Sequence, residues 1–237
     1  MKNLFGLNFF EGDKELLLNN ILKSDKAIIF TPNIDHIIKL NEDIDLYNKY
    51  SQANFIIADG WPVALTGKLK KFNINRITGI DLMDNILKIA DEKSMNIFLL
   101  GNVDETLIKI NNSYKKNFPN MGNLDFHNGF FEDDNYVLNK IKENKSDILF
   151  VGMGCPKQEK WIIENIDSIE CKIIIGVGGA FNIYSGDITR APKFMQTLGL
   201  EWFYRFLKEP KRLFKRYFIE DLKFVPIFVK ELIKKEA

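Results

Sequence analysis

The sequence predicts a Rossmann-like, three-layer α/β fold with a mostly parallel central sheet. Two observations indicate it. Short apolar runs rich in β-branched and aromatic residues recur without polar alternation, which is typical of strands covered on both faces by helices. Helical patterns fill the gaps between the runs, as in doubly wound domains with right-handed crossovers. The runs lie at 27–30, 55–58, 97–100, 147–151 and 173–176.

Each predicted strand stops at a polar or glycine-rich turn. In chain order the turns are Thr31-Pro32-Asn33, Asp59-Gly60, Gly101-Asn102, Gly152-Met153-Gly154 and Gly176-Val177-Gly178-Gly179. Helices are predicted at 80–90 and 105–118, through Ile37 and Leu40, from near Pro62, and from near Gln158. Because open parallel sheets bind ligands at the carboxyl ends of their strands, these turns predict one site at one edge, for a phosphorylated ligand.

Length and composition are those of an enzyme without a membrane span. The 237 residues, 46% of them hydrophobic, suffice for one full core and an appendage. No apolar run approaches the roughly 18 to 20 residues that a bilayer span requires. The N-terminus lacks the apolar core of a signal peptide, so we expect the cytoplasm. The predicted division is an α/β catalytic domain over residues 1–195 and a helical appendage over 196–237.

Two cysteines, Cys155 and Cys171, and two histidines, His36 and His127, are too few for a disulfide scaffold or a zinc site without further ligands. Both cysteines are interpreted as small buried or partly buried residues.

The net charge of +1 is unevenly distributed. Residues 205–237 contain ten basic and five acidic residues, interleaved with aromatic and aliphatic ones at spacings of one, three or four. A basic, aromatic helix can lie in the headgroup layer of an anionic membrane. The alternative is a stripe that packs on the core and leaves its bases in solvent. Nucleic acid is a weaker option, since the rest of the chain is slightly acidic and shows no nucleic-acid module.

A set of motifs spans essentially the whole chain in a fixed order. They are Thr31-Pro32-Asn33, Ala58-Asp59-Gly60, Arg76-Ile-Thr78-Gly79, Gly152-x-Gly154-x-Pro156-Lys-Gln158-Glu-x-Trp161, Gly176-Val-Gly178-Gly179-Ala-Phe181, Ser185-Gly-x-x-x-Arg190-Ala-Pro192, and a run from Gly199 through Arg205 to Arg212. In these motifs the chain resembles the WecG/TagA/CpsF glycosyltransferase family. The departures are Trp61-Pro62, Cys155, and Asn182 where an aspartate is common.

The resemblance implies inverting transfer of a sugar from a UDP-sugar donor to a polyprenyl-diphosphate-linked acceptor at the inner face of the cytoplasmic membrane. Wall teichoic acid linkage units, enterobacterial common antigen and capsule are the products it suggests, with N-acetylmannosamine or its uronic acid as the favoured sugar. It also implies a metal-independent enzyme whose C-terminal appendage completes the site. Homo-oligomerisation is left open, and Asn182 leaves the donor's identity open.

An inverting displacement needs one carboxylate as general base. Asp59 is the best candidate, because it ends a strand, precedes Gly60 and matches the family's proposed catalytic aspartate. The alternative is that it caps the helix near Pro62. Asp35 and Asp81 are weaker candidates, since each opens a helix, where a carboxylate is commonplace.

Three further residues are predicted to act beside the base. Thr31 and Asn33 resemble the family pair that contacts the donor, although either could instead cap the helix through Ile37. Gln158 could reach a sugar hydroxyl or the diphosphate from a helix start.

The departing UDP carries negative charge that must be neutralised. Arginines can do this without a metal, and the candidates are Arg76, Arg190, Arg205, Arg212 and Arg216. Asp43-Ile44-Asp45 is the only Asp-x-Asp, but it lies in a polar helical stretch away from any strand end, so no metal or cofactor is predicted. The remaining predicted substrate-binding residues are Gly101, Gly152, Gly154, Gly178, Gly179 and Asn182.

Two other functions are weighed against glycosyl transfer. One is a non-catalytic, membrane-associated nucleotide-sugar binding protein. The other is a dinucleotide-dependent oxidoreductase, which would need a Gly-x-Gly-x-x-Gly after the first strand. That motif is absent from the sequence.

Overall fold

A single sheet of eight strands organises the computed structural model, which describes residues 1–234 and their side chains except that of Arg212. The strands are β1 (Lys2–Leu4), β2 (Leu7–Phe9), β3 (Ala27–Phe30), β4 (Phe55–Ile56), β5 (Ile97–Gly101), β6 (Leu124–His127), β7 (Ile148–Gly152) and β8 (Ile173–Gly176). Their order in the sheet is β1-β2-β4-β3-β8-β7-β5-β6. All neighbours pair in parallel except β1 and β2, which form an antiparallel hairpin at one edge. The mostly parallel sheet is therefore confirmed.

Helices connect the strands and continue into the C-terminal segment. They are α1 (Lys14–Lys23), α2 (Ile34–Glu42), α3 (Ile44–Tyr50), α4 (Trp61–Leu69), α5 (Gly79–Glu92), α6 (Asp104–Asn117), α7 (Asp134–Glu143), α8 (Lys157–Glu164), α9 (Ala180–Tyr184), α10 (Lys193–Thr197), α11 (Glu201–Lys208), α12 (Pro210–Lys215) and α13 (Phe224–Ile233). A π-helical turn (Arg216–Glu220) and a 3-10 turn (Asp221–Lys223) join α12 to α13. Within residues 1–234, no helix combines the length and apolar composition needed to cross a bilayer.

The sheet is apolar on both faces because its central strands carry unbroken apolar runs. In β3, Ile28 and Phe30 face one layer of helices, whereas Ala27 and Ile29 face the other. The first layer contains α2, α3, α4, α7, α8 and α13, and the second contains α1, α5, α6 and α9. Successive strand residues point to opposite faces, so one run supplies both cores.

The C-terminal segment is helical, as predicted, and its last helix packs on the first layer. Phe224 is only 6% exposed, and its ring lies 5.6 Å from that of Phe5. Phe228 is partly buried against the same core. The aromatic stripe of α13 therefore packs on the core. The sequence alone could not show this, since an i, i+4 aromatic pattern fits a protein core as well as a membrane. Helix α10 spans the predicted domain boundary at residue 195.

Candidate active site

The carboxyl ends of β4, β3, β8, β7 and β5 lie side by side, since these strands are parallel neighbours in the sheet. Gly101 is the last residue of β5, and the other predicted rim residues follow the strand ends: Thr31, Asn33, Asp59, Gly154, Gln158 and Gly178. Polar side chains from distant segments therefore meet along one rim of the sheet.

Asp59 stands at the end of β4 and is partly buried. Helix α4 begins after Gly60 without a side-chain cap, so Asp59 does not cap it and the alternative reading of this carboxylate does not hold. Its backbone is fixed from two sides: its N–H donates to the carbonyl of Pro32 at 3.3 Å, and its own carbonyl accepts from Arg76 Nε at 2.9 Å. These two bonds fix the main chain that carries the carboxylate.

Burial raises the pKa of Asp59 to about 6, although the positive charges of Arg205 and, after it, Arg76 act in the opposite direction. Glu201 and Asp81 add smaller effects that raise the pKa. A carboxyl with a pKa near 6 is ionised at neutral pH and is a stronger base than an ordinary aspartate. The environment of Asp59 therefore suits proton abstraction.

Asn33 and Thr31 flank Pro32, whose carbonyl accepts from the N–H of Asp59, and they have different roles. Asn33 caps α2, its Oδ1 accepting from the N–H of His36 at 3.4 Å. A Cβ on Gly60 would lie 3.2 Å from the Cβ of Asn33, so glycine lets the two strand ends approach closely. Thr31 is 7% exposed and packs beside Gly79, the first residue of α5. Asn33 therefore caps α2, which is the alternative that the sequence left open. Its contact with a donor stays a prediction.

Arg76 and Arg190 meet on one carboxylate, Glu201, at the start of α11. Arg76 pairs with Glu201 through Nη2 and donates to the carbonyl of Gln196 at 3.0 Å. Arg190 lies 3.4 Å from Glu201 and 2.7 Å from Asp81. These two guanidiniums anchor the C-terminal segment to the rim, and Glu201 and Gln196 are residues that the sequence reasoning missed.

The other predicted arginines occupy separate positions. Arg205 is exposed on α11, and its charge is the largest influence lowering the pKa of Asp59. Arg216 lies 3.8 Å from Asp35, on the side of α2. The side chain of Arg212 lies outside the described residues. Arg205 is thus the arginine whose charge acts most on the predicted base.

The predicted glycines fall into two groups. A Cβ at Gly101 would lie 2.6 Å from the main chain of Gly152, and one at Gly152 would lie 2.6 Å from the Phe181 ring. Those two glycines let β5, β7 and α9 pack closely. At Gly154, Gly178 and Gly179 the part of the chain that the structure describes places no atom, apart from the adjoining residues, within 4 Å of the Cβ position. These turns therefore leave room for a ligand to approach the main chain.

Gln158 joins the two open turns. Its Oε1 accepts from the N–H of Gly154 at 3.2 Å and from the N–H of Gly178 at 3.0 Å. The residue is 1% exposed. In this structure its amide is engaged with the protein, and its predicted contact with a sugar or diphosphate stays a prediction.

Asn182 follows the Gly178 turn and meets the end of β5. Its Oδ1 accepts from Asn102 Nδ2 at 2.8 Å. Asn102 has a φ of 60°, and its Oδ1 accepts from the N–H of Val103 at 2.9 Å. A main-chain N–H can only donate, so this bond fixes the orientation of the Asn102 amide, and the Oδ1 of Asn182 therefore faces the Nδ2 of Asn102. Asn102 is a rim residue that the sequence reasoning did not assign.

A comparison with protein families assigns the chain that carries this rim to a family. The profile described as "Glycosyl transferase WecG/TagA/CpsF family" matches residues 2–237. The chain belongs to this family. It is therefore a glycosyltransferase, and the rim is the candidate active site of a WecG/TagA/CpsF enzyme.

Relatives from Staphylococcus aureus are similar to this WecG/TagA/CpsF enzyme. Proteins of strains MW2, NCTC 8325 / PS 47 and MRSA252 are each 38% identical to it over 186 residues, which cover 78% of this chain and 70% of theirs. Each is named N-acetylglucosaminyldiphosphoundecaprenol N-acetyl-beta-D-mannosaminyltransferase.

Two groups of this family member could be considered for a metal. Asp43 and Asp45 pair with Lys160 at 2.9 and 3.3 Å, and Asp45 also with Lys49, on α3 rather than at the rim. Among the described residues, His36, Cys155 and Glu159 bring ligand atoms within 4.8 Å of one another. A structural zinc takes four ligands, and His36 Nδ1 already hydrogen-bonds the Tyr50 hydroxyl at 3.0 Å. The three side chains fit a hydrogen-bonded cluster better than a zinc site.

Proposed function

We propose that this WecG/TagA/CpsF enzyme transfers N-acetylmannosamine, or its uronic acid, from a UDP-sugar to a polyprenyl-diphosphate-linked amino sugar, with inversion and without a metal. The product would enter teichoic acid or another cell-surface polysaccharide at the inner face of the cytoplasmic membrane. The names of the staphylococcal relatives support the sugar and the lipid-linked acceptor. The motifs shared with the family support the UDP donor.

The observation that carries the proposal is the environment of Asp59. Asp59 lies just beyond β4 and the bridge residue Ala58, does not cap α4, and has a pKa raised to about 6 by burial. General bases work best with a pKa near the operating pH. A carboxylate held this way, on the same rim of the sheet as the open glycine turns, fits deprotonation of an acceptor hydroxyl.

The reaction then follows a single displacement. The acceptor hydroxyl attacks the anomeric carbon from the face opposite the diphosphate and gives its proton to Asp59, while the anomeric carbon–oxygen bond to UDP breaks. The bonding pair leaves with the diphosphate, whose growing negative charge needs a cation. Arg205, whose charge already acts on Asp59, is the residue best suited to this role.

The C-terminal segment is proposed to complete the site and to hold the enzyme on the membrane. Glu201 links it to Arg76 and Arg190, and Gly199 packs on the ring of Trp61, two residues after Asp59. Beyond α11, Phe214 and Phe218 are 55% and 47% exposed. Exposed aromatic residues beside lysines fit an anionic headgroup layer.

The test is transfer to a short-chain lipid diphosphate bearing N-acetylglucosamine, with a panel of UDP-sugars and with UDP release as the readout. We expect the fastest release with UDP-N-acetylmannosamine or its uronic acid, a β-linked product from an α-linked donor, and full activity in EDTA. Release with every other sugar but neither of these would refute the sugar assignment. Loss of activity in EDTA that Mn²⁺ or Mg²⁺ restores would refute the metal-free mechanism.

A further inference from the structure

Glu159 is a buried acid that the proposed mechanism does not use. It is the third residue of α8 and is 0% exposed. Its Oε1 accepts a hydrogen bond from Gln158 Nε2 at 2.8 Å. Its Oε2 has no hydrogen-bond partner among the described residues. A carboxyl group is costly to bury, so a fully buried one with an unpaired oxygen calls for an explanation.

The bond from Gln158 continues into both open glycine turns. The N–H groups of Gly154 and Gly178 both donate to Oε1 of Gln158. Main-chain N–H groups only donate, so the oxygen of this amide must face the turns and its nitrogen must face away. The nitrogen meets Glu159, which offers only acceptors when ionised.

We propose that Glu159 is a positioning residue, which sets the spacing of the Gly154 and Gly178 turns by holding the Gln158 amide in one orientation. If this acceptor were lost, only the N–H groups of Gly154 and Gly178 would hold the amide in place, and a rotated amide would turn its own N–H groups toward theirs. The two turns would then lose their shared anchor. Because the turns leave room for a ligand beside their main chains, the anchor matters for the UDP moiety. That consequence rests on the proposed function, whereas the anchoring itself does not.

An ion pair with His36 does not account for the burial of Glu159. His36 Nδ1 lies 3.8 Å from Oε1, and burial lowers the pKa of His36, which disfavours a cationic partner. Oε1 of Glu159 lies nearer to Gln158 Nε2, at 2.8 Å, than to His36 Nδ1. Its role is therefore to be sought through that amide.

The test is a double-mutant cycle on the full chain between Glu159→Leu and Gln158→Met. The first readout needs no ligand and is hydrogen exchange of the Gly154 and Gly178 amides. The second is the Kd for UDP by calorimetry. Loss of one buried hydrogen-bond partner costs about 1.4 kcal/mol, so Glu159→Leu should speed exchange at both amides and weaken UDP binding about tenfold. In the Gln158→Met background the same substitution should change neither further.

Glu159→Gln serves as the rescue variant, because its side-chain oxygen can still accept from Gln158, and it should recover most of the protection and affinity. Glu231→Leu is the matched control. Glu231 is also buried, at 6% exposure, but it pairs with Lys70, the residue that follows α4. It should lower stability without selective exchange at the two glycines.

The outcomes separate the two proposals. Equal effects of Glu159→Leu in both backgrounds, or unchanged exchange at Gly154 and Gly178, would overturn the positioning role. If the variants show the expected changes in exchange but the wild-type chain has no affinity for UDP, the positioning role is upheld. The UDP donor is then removed from the proposed function.

Discussion

Arg76 donates from Nε to the main-chain carbonyl of Asp59 at 2.9 Å, so one side chain fixes the strand end that carries the predicted base. The same guanidinium pairs with Glu201 and donates to the carbonyl of Gln196. Arg76 thereby couples the position of Asp59 to the docking of the C-terminal segment. Its role here is structural as well as electrostatic.

Arg76→Gln should consequently lower the free energy of unfolding by about 1–3 kcal/mol, because it leaves a largely buried Glu201 short of a partner. Urea unfolding measures the change. Lys142→Gln is the control, since Lys142 pairs with Glu170 where both are more than 60% exposed, and such pairs contribute about 0–1 kcal/mol. Equal losses in the two variants would mean that the Arg76 contacts do not hold the segment.

Asp59→Asn should lower turnover by about 10²- to 10⁴-fold, the range for loss of a general base. The amide has nearly the same shape as the carboxylate and cannot take the proton, so the fold and UDP binding should persist. The measurements are steady-state UDP release and the Kd for UDP. Near-wild-type turnover would remove Asp59 from the mechanism.

The pH dependence of kcat/KM follows from the raised pKa of Asp59. The base acts when ionised, so the rate should fall as pH drops through about 6. Arg205 stabilises the ionised form, so Arg205→Gln should raise the pKa of Asp59 and move this limb to higher pH. Lys208→Gln, one turn further along α11, is the control and should leave the midpoint in place. A midpoint near 4 in the wild type would contradict the assignment.

The central strands could be predicted from sequence because each is an unbroken apolar run that ends at a turn. The edges could not. β6 (Leu124–His127) alternates apolar and polar residues and is only partly buried, while β1 and β2 are three residues each. Strand β4 is shorter than its apolar run: after Ile56 the chain continues with an isolated bridge from Ala58 to Arg76.

The rim could be predicted for the same reason, since parallel strands gather their carboxyl ends. What the sequence could not provide is the partner of each polar group. Gln158 looks like a ligand-binding amide in a motif, yet its atoms join two main-chain turns. Phe224 and Phe214 belong to the same pattern of aromatic spacing, but Phe224 is 6% exposed and Phe214 is 55% exposed. Tertiary contacts, which the spacing does not reveal, decide which of the two rings is covered.

Membrane binding should depend on the exposed aromatic pair of the C-terminal segment rather than on α13. The rings of Phe214 and Phe218 lie 5.2 Å apart, and Lys215 between them is 75% exposed on its side chain. Full burial of a Phe side chain is worth about 1.5–3 kcal/mol, so the double change Phe214→Ser and Phe218→Ser should weaken binding to phosphatidylglycerol vesicles by about tenfold or more.

The control for that experiment is Tyr136→Ser, which removes a 52% exposed aromatic residue from α7, a helix outside the C-terminal segment. Vesicle sedimentation at increasing salt adds a second readout. Each Lys or Arg near an anionic surface contributes about 1 kcal/mol, and this contribution is screened by salt. Binding of the wild type should therefore fall steeply as salt rises, whereas the aromatic contribution should persist. If the double variant bound vesicles as well as the Tyr136 control, the exposed pair would have no part in membrane attachment, and the acceptor would have to reach Asp59 by another face.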